Sequence, residues 1–304
     1  MKVSVVIPTH NRSKLVKRAI DSVLRQTYQN FEIIVVSDGS TDDTDFVLKE
    51  ISKNDPRVKF IAYENAKGAN YARNIGIKEA TGDFVAFLDD DDEWMPEKLE
   101  LQMNKFKENE LLGLVYTGVE VIYYTNKKII NYYSIPKKTG NLSRDILISN
   151  CIGTTSSVVM KKSLFSKIGL FDENLKARQD YDLWIRACQI TEVGAVNKPL
   201  VRYYNSTTTK QISDDVQKYE DALMYLKRKY EKYYNNLDES LLRRHKQANY
   251  MLLALKCLRN GNPKIARRYI LKHFKLKPSF RTLFLYLLSY FDYDLLLRLR
   301  ARMN

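Results

Sequence analysis

The chain offers few residues for redox or zinc chemistry. Its 304 residues include three cysteines and three histidines. Cys151, Cys188 and Cys257 lie far apart and fit no metal-ligand spacing. An odd, sparse set of this kind fits reduced thiols in a cytosolic setting. His10, His245 and His273 have no matching partners for a Ser-His-Asp or Cys-His arrangement. No apolar run approaches the ~20 residues that span a bilayer. The opening Met1-Lys2-Val3-Ser4-Val5-Val6-Ile7-Pro8 is too short in its apolar part for a signal peptide. No G-x-G-x-x-G follows the first apolar run, and no G-x-x-x-x-G-K-[ST] occurs. A dinucleotide fold and a P-loop NTPase are both disfavoured.

Charge is plentiful but unevenly placed. Lysine and arginine number 50 against 36 acidic residues, a net charge of +14. Residues 1–209 hold 29 basic and 27 acidic residues, whereas residues 210–304 hold 21 and 9. The basic excess therefore belongs to the last third, which implies an anionic partner there, a membrane surface or nucleic acid. Hydrophobic residues make up 44% of the chain, ordinary for a folded protein, and the length suits a large domain with an appendage.

Strand and helix patterns alternate over the first ~110 residues. Residues 2–8 read as a strand, followed by the polar turn Thr9-His10-Asn11-Arg12. Ser13 is placed to cap a helix to about Arg25, with Leu15, Ala19, Ile20 and Leu24 inward. Phe31 to Val36 and Val58 to Ala62 read as strands, with a helix to about Ser52 between them and another opening at Gly68. Short connections between such elements point to right-handed β-α-β units and a largely parallel sheet. Farther on, Asn126-Lys127-Lys128 reads as a hairpin tip, Gln179 starts a helix, and Val193 to Tyr204 reads as a strand pair.

The strongest local feature is Asp89-Asp90-Asp91-Asp92, which directly follows the apolar run Phe84 to Leu88. Four carboxylates at one strand end repel each other unless a cation sits among them. Hard divalent ions take oxygen ligands of this kind, although a charge run is often only a solvated loop. Thr9 to Arg12, Asp38 to Ser40 and Asp89 to Asp92 all fall at the carboxyl ends of their strands, where ligands bind in such sheets.

Four motifs in order resemble an inverting family 2 glycosyltransferase of the GT-A fold. They are Val5 to Arg12; Val36-Ser37-Asp38-Gly39-Ser40-Thr41-Asp42; Gly68-Ala69-Asn70-Tyr71-Ala72-Arg73-Asn74 leading into Leu88 to Trp94; and Gly169-Leu170-Phe171-Asp172-Glu173 followed by Gln179-Asp180-Tyr181-Asp182-Leu183-Trp184. The resemblance covers about residues 2–205. It implies an α/β fold, a Rossmann-like mixed sheet flanked by helices, with a catalytic domain over 1–209 and a basic helical region over 210–304.

It also implies roles. Pro8, Thr9, Asn11, Asp38, Arg73, Asp89 and Asp90 would bind a nucleotide-diphosphate sugar, most simply a UDP-sugar. Asp91 would ligate Mn²⁺ or Mg²⁺, and Asp180 would be the general base. Gln179 departs from the Glu-Asp pair usual in the family, and Asp182 stands two residues on as a substitute contact. Outside that resemblance, Asp180 reads as a helix N-terminal residue, Asp38 as a turn former, Arg73 as a solvated or ion-paired side chain, and Trp94 and Trp184 as packing residues. The loop Gly153 to Ser157 is expected to shape sugar selectivity. The Q-x-x-R-W motif of processive synthases is absent, which favours transfer of single sugars.

The implied acceptor is a hydroxyl of a glycan or lipid-linked glycan. The implied location is cytoplasmic, peripheral to the inner face of the cell membrane. Residues 214–304 read as helical, in about two antiparallel pairs. They suit an interfacial module on anionic lipid, a packing cap or an oligomer interface; no nucleic-acid motif is present. Two rivals share such a sheet. A nucleotidyltransferase would need a basic glycine-rich loop after the first strand, where this chain has Thr9 to Arg12. A non-catalytic binding protein would be consistent with Gln179.

Overall fold

The computed structural model describes residues 1–125, 129–206 and 215–302. The hairpin tip at Asn126 to Lys128 and the division at 209/210 lie outside these residues. That division remains a proposal.

Period-two patterning builds the sheet. In β1 (Val3–Thr9), Val3, Val5 and Ile7 face one core and Val6 the other; in β2 (Phe31–Asp38), Ile33 and Val35 oppose Ile34 and Val36 in the same way. Both strands are buried throughout, as expected for parallel strands covered on each face. The first core is closed by α1 (Ser13–Leu24), α2 (Thr44–Asn54) and, beyond β3 (Val58–Tyr63), α3 (Ala69–Glu79), β4 (Phe84–Phe87) and β5 (Glu93–Trp94), by α4 (Lys98–Glu108); α3 itself lies on the opposite face. Strands β1 to β4 run parallel in the order β3-β2-β1-β4. Their carboxyl ends therefore share one edge.

The chain then passes through β6 (Leu112–Tyr124), β7 (Ile129–Ser134), α5 (Asp145–Ile148), β8 (Val158–Lys161), α6 (Phe165–Ile168), α7 (Gln179–Cys188) and β9 (Glu192–Ser206). The sheet continues as β4-β8-β6-β9-β5, with β8 antiparallel to β4 and β6, and β9 parallel to β6. It is mixed, as the resemblance implied.

Three local expectations change. Val16 and Val23, not Leu15 and Leu24, join Ala19 and Ile20 in the buried stripe of α1. The polar Lys17, Asp21 and Arg25 bracket either choice, so the sequence leaves the stripe one residue loose. Ser13 is the first helical residue and not the cap; its N–H is taken by the Asp42 carboxylate from the loop after β2. The expected strand pair is one strand, β9. Asn197-Lys198-Pro199 resembles a turn, but the register steps from Thr117↔Val196 to Gly118↔Pro199, so it is a bulge. A bulge tolerates the missing N–H of Pro199.

The C-terminal helices are more numerous than two pairs. They are α8 (Val216–Lys229), α9 (Glu231–Asn235), α10 (Glu239–Arg259), α11 (Pro263–Leu276), α12 (Phe280–Leu288) and α13 (Tyr293–Arg302). Ala222, Leu226, Tyr230, Tyr234 and Leu237 belong to the same core as Trp184 and Phe87. The first two helices are thus packed into the main body. Leu297 of α13 packs instead with Val121, Tyr123, Ile130 and Tyr132 of the β6–β7 hairpin.

A polar clamp locks α8 onto α7. Lys229 Nζ lies 2.8 Å from Asp182 Oδ1 and 2.5 Å from Asp172 Oδ2. Tyr230 Oη donates to Asp182 Oδ1 at 2.6 Å, and Arg186 Nη2 donates to Asp182 Oδ2 at 2.6 Å. Asp182 has no exposed side-chain surface. It does not substitute for a glutamate at 179; it anchors the helix that carries Asp180. Removing one partner from a fully buried carboxylate leaves the charge under-compensated. Lys229→Met should therefore destabilise the fold by on the order of 2 kcal/mol, read as a fall in denaturant midpoint. An unchanged midpoint would show that the clamp is not what joins the helices.

Candidate functional site

The carboxyl ends of β1, β2 and β4 bring the implied residues together through hydrogen bonds and ion pairs. Thr9, the last residue of β1, donates to Asp90 Oδ2 at 2.8 Å. Pro8, one residue earlier, is buried and paired in register with Val36 of β2. Arg12 Nη1 bridges Asp90 Oδ1 at 2.8 Å and Asp91 Oδ2 at 3.1 Å. Arg73 projects from α3 and pairs with Asp89 Oδ1 at 2.7 Å. Its Nε is buried and has no hydrogen-bond partner among the described residues.

Asp38 and Asn11 organise the loops beside this cluster. Asp38 accepts from the Lys67 and Gly68 N–H groups, each at 2.7 Å, one on each oxygen. Gly68 has φ 97° and precedes α3, so this grip sets where α3 and Arg73 begin. His10 Nδ1 lies 2.6 Å from the Asp38 carbonyl oxygen. Asn11 has φ 54°, a conformation Asn tolerates better than most residues. Its Oδ1 accepts from Thr41 N and Asp42 N, tying the β1 loop to the β2 loop.

Asp180 lies in the first turn of α7. Its Oδ1 accepts from the Tyr181 N–H at 2.7 Å. Arg178, just before the helix, has φ 57°, a strained conformation for a residue that is neither Gly nor Asn. Burial pushes the Asp180 carboxyl up; Arg178 and Arg73 oppose that shift and Asp89 adds to it.

The four aspartates have unequal environments. Burial raises Asp90 despite Arg12 and Thr9. Asp91 is pushed up to about 6 by burial first and then by Asp89 and Asp90. Asp92 is fully buried; it accepts from Ser156 Oγ at 2.5 Å, and its Oδ1 has no partner. Burial first, and then its acidic neighbours Asp91 and Asp89, push its carboxyl well above the usual range. Ser156 Oγ also accepts from the Asp89 N–H at 3.1 Å.

Arg12, Arg18 and Ser156 are the residues that sequence reasoning left without roles. Arg12 was in a motif but without a partner. Arg18 donates to the Asp91 carbonyl oxygen at 2.6 Å and stacks 4.3 Å from the Tyr204 ring centroid, and only a helix-face position hinted at it. Ser156 had no sequence signal beyond a polar loop. The loop expected to shape sugar selectivity is largely inward, with Ser156 and Ser157 fully buried. Trp94 and Trp184 are buried packing residues.

A divalent ion fits this cluster in a limited way. Asp91 offers a hard oxygen donor whose ionisation is opposed by its acidic neighbours, an imbalance a cation relieves. Among the described residues, no three acidic, cysteine or histidine side chains are arranged to hold an ion alone. Remaining ligands would come from a bound diphosphate, a frequent arrangement for Mg²⁺.

This imbalance has a measurable sign. Because the folded-state value of Asp91 exceeds its ordinary 3.8, its ionised form destabilises the metal-free fold above pH about 6. The penalty fades as pH falls toward about 4. In chelator near pH 7.5, Asp91→Asn should be more stable than the wild type by on the order of 1 kcal/mol, and the difference should close near pH 4.5. A wild type that is the more stable at neutral pH would overturn the like-charge account.

Residues 4–169 match the model of glycosyl transferase family 2. The chain is 31% identical over 254 residues to the UDP-Glc:alpha-D-GlcNAc-diphosphoundecaprenol beta-1,3-glucosyltransferase WfgD of Escherichia coli, covering 84% of this chain and 94% of that protein. It is 38% identical over 210 residues to an uncharacterized glycosyltransferase of Rickettsia felis, covering 68% of this chain but 34% of that relative. In structure it resembles residues 1–349 of S. aureus TarS in complex with UDP-GlcNAc, with TM-score 0.56, 19% identity and 92% of each chain covered. It also resembles a mannosyltransferase from Pyrobaculum calidifontis in complex with GDP-Man and Mn²⁺, with TM-score 0.58, 14% identity, and 99% of this chain and 86% of that one covered. The chain belongs to glycosyl transferase family 2 and has the GT-A fold.

Proposed function

We propose that this glycosyltransferase moves a single sugar, with inversion, from a UDP-linked donor to a hydroxyl of a glycan or lipid-linked glycan in bacterial surface polysaccharide assembly, such as O-antigen, capsule or lipooligosaccharide. The observation that carries the reading is the strand-end cluster in which Arg73 pairs with Asp89 and Arg12 bridges Asp90 and Asp91. These are groups suited to a nucleotide sugar, and Asp180, whose carboxyl burial pushes up, is assigned in this reading as the proton acceptor. WfgD supports the donor and acceptor classes, since its name specifies a UDP-linked sugar, a diphosphoundecaprenol-linked acceptor and a beta product. A lipid-linked acceptor also places the enzyme at the inner face of the cell membrane.

In this reading Thr9, Asn11 and Asp38, with Pro8 shaping the strand end, face the base and ribose. Asp38 keeps acceptor capacity, because each oxygen has given only one lone pair to a backbone N–H. Arg73 and Asp89 meet ribose and phosphate, while Asp90 holds Arg12 and Thr9 in place. Asp91 would hold Mn²⁺ or Mg²⁺, which when bound supplies positive charge against the developing diphosphate. The acceptor oxygen attacks the anomeric carbon from the face opposite the nucleoside diphosphate. Its proton passes to Asp180, and the bond to the phosphate oxygen breaks with its electron pair leaving on the diphosphate. Gln179 is neutral, so Asp180 has no adjacent charged carboxylate to compete with for that proton.

Incubation with UDP-sugars, Mn²⁺ and a lipid-diphosphate GlcNAc acceptor should release UDP. Asp180→Asn should lower transfer by about 10²–10⁴-fold while leaving UDP-sugar binding near wild type. Asp91→Asn should lose both transfer and Mn²⁺-dependent donor binding. Full turnover in Asp180→Asn would remove it from the role of base. Donor binding with no transfer to any acceptor would favour a binding protein of the same fold.

A further inference from the structure

Helix α12 carries large apolar side chains on its outward face. Its inward face is mixed: Leu285 packs against Cys257, Leu258 and Ala266, while Thr282 is 2% exposed and the following Ser289 is 1% exposed. Their polar atoms are satisfied locally, Thr282 by Ser279 and His273, and Ser289 Oγ by the Tyr286 carbonyl oxygen. The outward face carries Phe280, Leu283, Phe284 and Leu287, and the chain continues with exposed Tyr290 and Phe291. Phe280 is 83% and Phe291 is 64% exposed. The offsets of 3, 4 and 7 from Phe280 align these side chains in one stripe. A stripe of this size on a water-facing helix needs an occupant.

The surrounding charge identifies it. Residues 263–291 include seven lysines and arginines and no aspartate or glutamate. Arg267 sits at the edge of the stripe, its guanidinium 4.2 Å from the Tyr290 ring centroid. Lys275, Lys277 and Arg281 are exposed around the start of α12. A second copy docked through this face by two-fold symmetry would set these cations against each other. Nucleic acid would leave the aliphatic Leu283 and Leu287 without bases to stack on. An anionic bilayer satisfies both parts, with phosphate around the cations and acyl chains around the apolar stripe.

We propose that α12 lies in the surface of an anionic membrane, with Phe280, Leu283, Phe284 and Leu287 inserted and Arg267, Lys275, Lys277 and Arg281 at the headgroups. This names the surface by which the proposed lipid-linked acceptor is reached, but the vesicle-binding test uses neither donor nor acceptor. Full-length protein should sediment with phosphatidylcholine vesicles containing about 30% phosphatidylglycerol and much less with phosphatidylcholine alone. Phe284→Ser combined with Leu287→Ser should weaken partitioning about tenfold or more, with an unchanged melting temperature because both side chains are exposed. Lys277→Glu combined with Arg281→Glu should abolish the preference for anionic lipid. Transfer to a soluble short-chain acceptor should be unchanged in both variants, so failed transfer and failed membrane binding are separate results. Wild-type protein that ignores the vesicles, or a serine variant that binds as well as wild type, would overturn the proposal. So would a concentration-dependent dimer that the serine variant turns into a monomer without any vesicle binding.

Discussion

Repulsion among four consecutive carboxylates is the constraint on which the site depends. Asp89 to Asp92 leave β4 together, and each is answered by a different element: Asp89 by Arg73 of α3, Asp90 by Thr9 of β1, Asp91 by Arg12 before α1, and Asp92 by Ser156 before β8. Such a run can persist only where several strand ends and helix starts converge, because no single loop supplies so many counter-groups. The β3-β2-β1-β4 order provides that convergence. Burial then separates the four in chemistry. Asp92 is the most enclosed, and burial pushes its carboxyl furthest from the usual range. Asp91 keeps some solvent access, with 31% of its side chain exposed, and shares the Arg12 guanidinium with Asp90. Of the four, Asp91 is the one left both reachable and short of positive charge.

The opposite wall of the site depends on α7. Asp180 and Asp182 are two residues apart on one helix turn and have divergent fates. Asp182 points into the protein, where Arg186, Lys229 and Tyr230 neutralise and hydrogen-bond it. Among the described residues Asp180 accepts from its own helix's Tyr181 N–H. One aspartate fixes the helix, and the other is the one proposed above as the base. Two partners of Asp182 are Lys229, the last residue of α8, and Tyr230, which follows it, so the start of the C-terminal region is part of what orients α7. A basic segment that looks like an appendage by charge begins, in packing terms, as part of the same core.

Much of this was legible from residues alone, and the limits have physical causes. Strands buried on both faces announce themselves as continuous valine and isoleucine runs, and their polar ends mark the ligand edge whatever lies between. The placement of Asp38 and Asp89 at that edge, with Arg73 reaching Asp89 from α3, follows from topology. The partners do not. Arg12 and Arg73 are alike in type, and only the turn geometry at Asn11 and Gly68 decides which aspartates they reach. The Asp38 carboxylate grips the backbone N–H groups of Lys67 and Gly68, and backbone partners leave no mark in a sequence. Ser156 answers Asp92 across 64 positions, a contact that sheet order creates and local pattern cannot. The reading of Asp182 failed because an aspartate in the first turn of a helix looks the same whether it faces solvent or a lysine on a distant helix.

Helix α12 shows the same limit in a sharper form. Its residue pattern defines two faces but not which of them meets the protein, and the usual assumption assigns the apolar face inward. Here the neighbour, α11, offers His273 to Thr282 and Arg267 to the Ser289 carbonyl oxygen. Those polar contacts fix the hydroxyl face against α11, and the rings are left outward by geometry. The net charge of the last third therefore says little by itself, since a solvated packing cap would carry the same lysines. What distinguishes the two cases is the coincidence of an unburied apolar stripe with an unbroken basic stretch, and neither ingredient alone would require a bilayer. With Thr282 and Ser289 bonded inward and Leu285 packed beside them, the Phe280, Leu283, Phe284 and Leu287 side of the helix is the side left without a neighbour among the described residues.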